Sequence, residues 1–142
     1  MFENSPPNKY ITVFYGELDT VNHTFEFVNA GHNPAIFLKK DGHQLLEACG
    51  PVVGIIANAQ YKSQQIQIGL GEILFLYTDG ITEALNPEEQ EFGEEGVLKV
   101  LTGNRNTGVE DLAHVLERQI REFTKGAPPL DDSTLIFLRR VQ

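Results

Sequence analysis

The sequence is short of three things, and each shortage excludes a class of protein. Cysteine occurs once, as Cys49, which rules out an internal disulfide and suits a reducing compartment. Cations are scarce: 11 Lys and Arg stand against 20 Asp and Glu, for a net charge of -9. So acidic a chain repels a polyphosphate backbone, which argues against nucleic acid as a partner, and it repels anionic membrane surfaces in the same way. Long apolar runs are missing as well; none reaches the ~18 residues a membrane-crossing helix needs. The expected location is therefore cytoplasmic. The familiar chemistry-bearing patterns are also absent. There is no Gly-rich phosphate loop, no Cys/His zinc pattern and no Gly-x-Ser-x-Gly elbow, so a covalent serine or cysteine mechanism has no support. Cys49, with no basic neighbour in sequence, reads as a small buried or half-buried thiol.

What remains is an ordinary globular composition, 41% hydrophobic and 22% charged over 142 residues. That length suits one domain and can bury a core without staples. Met1 to Asn8 lacks the basic leader and apolar stretch of a signal peptide. It reads as a loop running into a strand, as if the chain began inside a longer one.

Strands come first. Lys9 to Leu18 is rich in β-branched and aromatic residues. Asp19-Thr20-Val21-Asn22 supplies turn chemistry. Thr24 to Val28 alternates, with Phe25 and Phe27 on one face, so the two segments are expected to form a hairpin. Ala35 to Leu38 is a third strand, Asp41-Gly42 a turn, and Gln44 to Glu47 the return. Gly50-Pro51 to Gly54 reads as a loop, and Tyr61 to Ile68 alternates again. Ile73 to Tyr77 is apolar on both faces, which predicts a covered, central strand. Asn86 to Gln90 is a polar loop. Glu94 to Leu101 is a short helix candidate. Gly108 to Lys125 is the clearest helix, with Leu112, Val115, Leu116, Ile120 and Phe123 on one stripe. Glu110 and Asp111 in its first turn and Lys125 in its last complement the macrodipole, and Gly126 can stop it. Pro128-Pro129 predicts extended chain leading to Asp131-Asp132. Ser133 to Val141 is the last strand, again expected to be covered on both faces. The sum is an α+β domain in which helices cover packed antiparallel sheets.

Two acidic clusters sit at the ends of apolar strands. Asp79 follows Ile73–Tyr77, and Asp131 and Asp132 precede the final strand. If those strands are antiparallel neighbours, the carboxylates converge. Like charges so placed repel unless a cation or proton intervenes, and Mg²⁺ or Mn²⁺ favours carboxylate oxygens. Asp-Gly and Asp-Asp-Ser-Thr are equally good turns, so metal and turn both stand. Asn29-Ala30-Gly31-His32-Asn33-Pro34 could line a pocket with His32 as acid, base or phosphate donor, or be a plain hairpin loop. His23, His43 and His114 have no partner at ligand spacing and read as surface or helix-face residues.

Four segments in order carry a resemblance: Val28-Asn29-Ala30-Gly31-His32-Asn33-Pro34-Ala35, Leu76-Tyr77-Thr78-Asp79-Gly80-Ile81-Thr82-Glu83-Ala84, Phe92-Gly93, and Asp131-Asp132-Ser133-Thr134-Leu135. From about Tyr10 to Val141 the chain resembles the PPM (protein phosphatase type 2C-like) superfamily, in its bacterial branch of stage II sporulation and stress-response sigma-regulator phosphatases. The resemblance implies a β-sandwich flanked by helices. It implies two or more Mn²⁺ or Mg²⁺ ions that activate a water against phosphoserine or phosphothreonine, with no covalent intermediate. Carried over by motif, Asp79 and Asp131 look like metal ligands, with Asp132 beside them, and Gly31, His32, Asn33 and Gly80 look like active-site loop residues. The implied substrate is a phosphorylated regulator of the anti-anti-sigma type. The family's first acidic element, Gly-Asp-x-x-Asp, should lie before Tyr10 and does not appear; Asp19 and Asp41 do not replace it. Val52-Val53 stands where the family often has Pro-Leu. The expectation is therefore a partial domain spanning 1–142, the C-terminal two-thirds of the whole. Such a piece would bind metal weakly, have little activity alone and carry an uncovered sheet edge open to self-pairing. A catalytically silent binding module and an unrelated β-rich domain are the competing readings.

Overall fold

The computed structural model describes residues 9–127 and 131–142. Met1 to Asn8 and the Pro128-Pro129 stretch, both interpreted above, lie outside the described residues. Along the chain run β1 (Val13–Asp19), β2 (Thr24–Ala30), β3 (Ala35–Leu38), β4 (His43–Leu46), β5 (Gln64–Gln67), β6 (Ile73–Tyr77), a 3-10 turn at Asp79–Ile81, α1 (Gly93–Gly103), α2 (Val109–Phe123) and β7 (Leu135–Arg139). They fall into two compact units, Met1–Pro34 with Leu45–Gly69, and Ala35–Gln44 with Leu70–Gln142.

The first unit holds an antiparallel sheet in the order β1-β2-β5. The expected hairpin is there, with Val13 opposite Ala30 and Asp19 opposite Thr24. Its turn is made by Asp19, whose carboxylate accepts the Val21 and Asn22 N–H groups at 2.8 and 2.9 Å and the Asn22 side-chain amide at 2.7 Å. The ladder starts later than Lys9. Ile11 instead exchanges both backbone bonds with Val53, each 2.9 Å, as an isolated bridge. Alternation puts Phe25 and Phe27 inside and Glu26 outside. Phe14 joins their stack, its ring centroid 5.4 Å from that of Phe27. Gly16 leaves room for it: a Cβ there would lie 2.1 Å from the Phe25 ring.

The second unit is built on an antiparallel sheet of order β4-β3-β6-β7. The Asp41-Gly42 turn joins β3 to β4, with Lys39 N–H on the Gly42 carbonyl at 3.1 Å and Gly42 at φ 88°. The apolar run Ile73–Tyr77 is the inner strand β6 between β3 and β7, as expected, and its Leu74 and Phe75 are fully buried. The final strand departs from expectation. It is an edge, its Ile136 is 56% exposed, and the regular strand is shorter than Ser133 to Val141. Side chains leave a sheet through its faces, so the exposed Ile136 marks a face of β7 that is left open to solvent.

Both helices lie in this unit. α1 packs on β3, α2 on β7, and the helices pack on each other. Val97 and Leu101 of α1 and Leu112 and Leu116 of α2 are completely buried; each is worth ~1.5–3 kcal/mol of transfer free energy. Val115, Ile120 and Phe123, on the same stripe, are half-buried. α2 ends at Phe123, two residues before Lys125. Lys125 and Gly126 both take positive φ, and Gly126 N–H bonds back to the Arg121 carbonyl at 3.1 Å. Arg121, not Lys125, is the cation in the last turn. No helix among the described residues is long and apolar enough to cross a membrane.

Candidate functional site

β6 and β7 run antiparallel, with Tyr77 opposite Leu135, so the end of one adjoins the start of the other. Pairing continues one residue further by a different device. Thr78 N–H donates to the Thr134 carbonyl at 3.0 Å, and the Thr78 hydroxyl accepts the Thr134 N–H at 2.9 Å. The same hydroxyl donates to the Asp132 carbonyl at 3.4 Å. Past Thr78 the chain tightens into the 3-10 turn, closed by Ile81 N–H on the Thr78 carbonyl and Glu83 N–H on the Asp79 carbonyl. Gly80 lies against the facing loop: a Cβ on it would stand 2.6 Å from the Asp132 carbonyl oxygen and 3.0 Å from Ser133 Oγ.

The Asp79-Gly80 turn and the Asp131-Asp132-Ser133 loop therefore touch through their backbones. All three carboxylates are exposed. Asp79 Oδ1 accepts the Gly80 N–H at 3.1 Å and Asp131 Oδ1 the Asp132 N–H at 2.7 Å, so each carboxylate is tied to the backbone of the next residue. A cavity of about 600 Å³ opens beside Gly80 and Ser133, lined by Ile81, Ala84, Pro87 and Ile120 among others.

Gly31, His32 and Asn33 belong to the first unit. Gly31 takes φ 75°, and a Cβ there would meet Val52 Cγ1 at 2.3 Å, so glycine is required on both counts. The loop hangs on Asn29, the one polar residue in the buried core of the described chain. Asn29 Oδ1 accepts the His32 N–H at 2.8 Å, its Nδ2 donates to the Leu46 carbonyl at 3.1 Å, and its backbone carbonyl accepts the Cys49 N–H at 2.8 Å. His32 Nδ1 lies 3.2 Å from the Asn33 carbonyl. Cys49 is half-buried, with Sγ 3.1 Å from the Asn29 N–H. His43 and His114 are exposed and His23 half-buried.

Carboxylate oxygens on two touching loops match in kind what Mg²⁺ or Mn²⁺ takes. They fall short in number: among the described residues no three His, Cys, Asp or Glu gather closely enough to hold a metal.

Two contributors are not singled out by the sequence. Thr78 and Asn29 each stand there only as members of a longer motif, with no role of their own. The signal each carries is slight: a hydroxyl residue directly after an apolar strand, and an amide at the end of one.

Comparison with known proteins bears on the family and the fold. The model of the family described as Stage II sporulation protein E (SpoIIE) matches residues 1–141. Phosphoserine phosphatase RsbU of Bacillus subtilis is 27% identical over 147 residues, covering 97% of this chain and 41% of that protein. The fold matches the SiaA-PP2C domain of Pseudomonas aeruginosa with a TM-score of 0.83 at 16% identity, over 97% of this chain and 55% of that one. It also matches the phosphatase domain of the cell fate determinant SpoIIE from Bacillus subtilis (Mn presoaked), with a TM-score of 0.70 at 19% identity over 91% and 56% of the two chains. Two antiparallel sheets with two helices are thus the α+β arrangement of PP2C domains. The chain spans 21% to 41% of the length of the curated relatives it matches.

Proposed function

The chain belongs to the Stage II sporulation protein E (SpoIIE) family, and from that premise we propose that it forms part of a metal-dependent phosphoprotein phosphatase. Its substrate is phosphoserine on a regulatory protein of the anti-anti-sigma type, in the cytoplasm. The observation that carries this reading is the junction of the Asp79 turn with the Asp131-Asp132 loop through Thr78. It brings together two acidic segments that lie far apart in sequence. A similar protein, RsbU, is named a phosphoserine phosphatase.

In this proposal Asp79 and Asp131 supply oxygen donors to Mn²⁺ or Mg²⁺, with Asp132 beside them. When bound, such an ion supplies an activated water and a clamp for the phosphoryl oxygens. Asp79 and Asp131 each keep one carboxylate oxygen tied to the next residue's backbone N–H, which orients the group and leaves the other oxygen for a cation. Gly80, having no side chain, lets the two loops approach. Gly31, His32 and Asn33 are the active-site loop in this proposal, and no chemical step is assigned to them.

With no group of three donors among the described residues, the 142-residue chain is expected by itself to bind metal weakly and to turn over little substrate. The test is manganese-dependent hydrolysis of para-nitrophenyl phosphate by the purified chain. Background rates are expected; robust turnover abolished by Asp79→Asn would overturn the claim that the site is incomplete.

The lack of a three-donor group among the described residues favours a second reading, a phosphatase-like module that grips a partner without turnover. The two separate in a longer protein extended at its N-terminus. Asp79→Asn there should remove hydrolysis if the first is right, and should leave partner binding intact, with no hydrolysis to lose, if the second is.

A further inference from the structure

We infer that Thr78 is the positioning residue that holds the two acidic loops at their working separation; the role rests on the phosphatase reading above. Regular pairing of β6 with β7 ends at Tyr77 and Leu135. Beyond that rung the two chains turn to carry Asp79 on one side and Asp131 and Asp132 on the other. Thr78 is the last tie before they part. Its backbone N–H holds the Thr134 carbonyl at 3.0 Å, and its hydroxyl receives the Thr134 N–H at 2.9 Å and reaches the Asp132 carbonyl at 3.4 Å.

That hydroxyl is used as acceptor and donor together, both through a single oxygen, which among side chains only the hydroxyls of Ser, Thr and Tyr offer when neutral carboxylic acids are set aside. The β-branch restricts χ1 and keeps the oxygen aimed across the gap. On the other flank Gly80 rests against the same Asp132 carbonyl, leaving no room even for a methyl group. The Asp132 carbonyl is thus approached from two sides, by the Thr78 hydroxyl and by Gly80. The carboxylates of Asp131 and Asp132 inherit their placement from it. Thr78 acts through this backbone.

The test uses the full ¹⁵N-labelled chain with two NMR readouts, amide exchange and the broadening caused by added Mn²⁺. Thr78→Val keeps the shape and removes the hydroxyl. It should speed exchange of the Thr134 amide about tenfold while the Leu74 and Phe75 amides stay as protected as before. In the wild type, Mn²⁺ should broaden the amides of residues 79–80 and 131–133 over one concentration range. In Thr78→Val the second set should need several-fold more metal, and Thr78→Ser should restore both readouts. Thr78→Ala serves as a second hydroxyl-free variant should the valine disturb folding. Unchanged exchange and unchanged broadening without the hydroxyl would overturn the inference. If Mn²⁺ broadens neither loop in the wild type even at large excess, the weak binding that the phosphatase reading requires is missing and that reading fails, while the exchange measurement alone decides for or against the tie.

Discussion

Asn29 shows what a single buried amide can organise. Its side chain joins the His32 N–H to the Leu46 carbonyl, so leucine in its place strands both partners. The expected cost of Asn29→Leu is ~2–6 kcal/mol, from two unmet polar groups at ~1–3 each, read as a lower urea midpoint with an unchanged slope. Glycines divide in the same physical way. Gly80→Ala forces a Cβ to 2.6 Å from a backbone oxygen and should cost ~1–3 kcal/mol, the scale of overpacking. Gly103, at the end of α1, has open space within 4 Å of where a Cβ would stand, and alanine there should be neutral or stabilising by up to ~1 kcal/mol. Thermal unfolding of the pair checks the contrast. At this scale the acids were legible because Asp79 and Asp131-Asp132 flank apolar runs. Thr78 and Asn29 were not, since their roles come from partners 56 and 17 residues away in sequence. No local pattern encodes such distances.

Among the elements, β6 and β7 make the instructive pair. Both read as unbroken apolar runs, and both were expected to be covered on two faces. Only β6 has a strand on each side. Its Leu74 is fully buried, and Leu74→Ala should cost ~2–5 kcal/mol. Ile136 on β7 faces outward, so Ile136→Thr should stay within ~0.5 kcal/mol, as chemical denaturation would show. A strand's own residues specify its hydrophobicity but not its neighbours, which is why the inner strand was foreseen and the edge was not. Helix α2 was readable because a stripe every three to four residues is local; its end was misplaced because Lys125 and Gly126 leave the helix by taking positive φ. The β1–β2 turn was readable too, and it has a pH signature. The Asn22 backbone N–H, the Asn22 side chain and the Val21 N–H hold the Asp19 carboxyl below its ordinary value of 3.8. A lowered carboxyl stabilises the fold above that ordinary value and loses the contribution as pH falls through the folded one. Side-chain NMR titration should therefore place the Asp19 midpoint below 3.8, and Asp19→Asn should remove that part of the acid dependence.

For the whole molecule, the net charge of -9 opposes close approach of copies at low salt, while the edge strands invite it. β1, β5, β4 and β7 each end a sheet, and an edge offers unpaired backbone groups to another chain. Salt screens the charge far more than it weakens backbone pairing. Light scattering should accordingly give a mass above that of the monomer, rising with ionic strength; a strictly monomeric chain at high salt would remove the edge from consideration. The α+β class could be read from strand and helix periods alone, because each period is a local property. The path of the chain between the two units could not, since it depends on which distant segments pair.

That path crosses between the units after Pro34, after Gln44 and after Gly69. Neither unit is therefore a continuous stretch of polypeptide, and no single pair of cloning boundaries can excise either one intact. Removing residues 45–69 would take β5 from β2, and stopping at Gly69 would leave β3 without β6. A scheme to dissect this protein would have to rejoin segments by circular permutation or a grafted linker. A protease nick at Gly69 should correspondingly leave two fragments that cling together until denaturant is added.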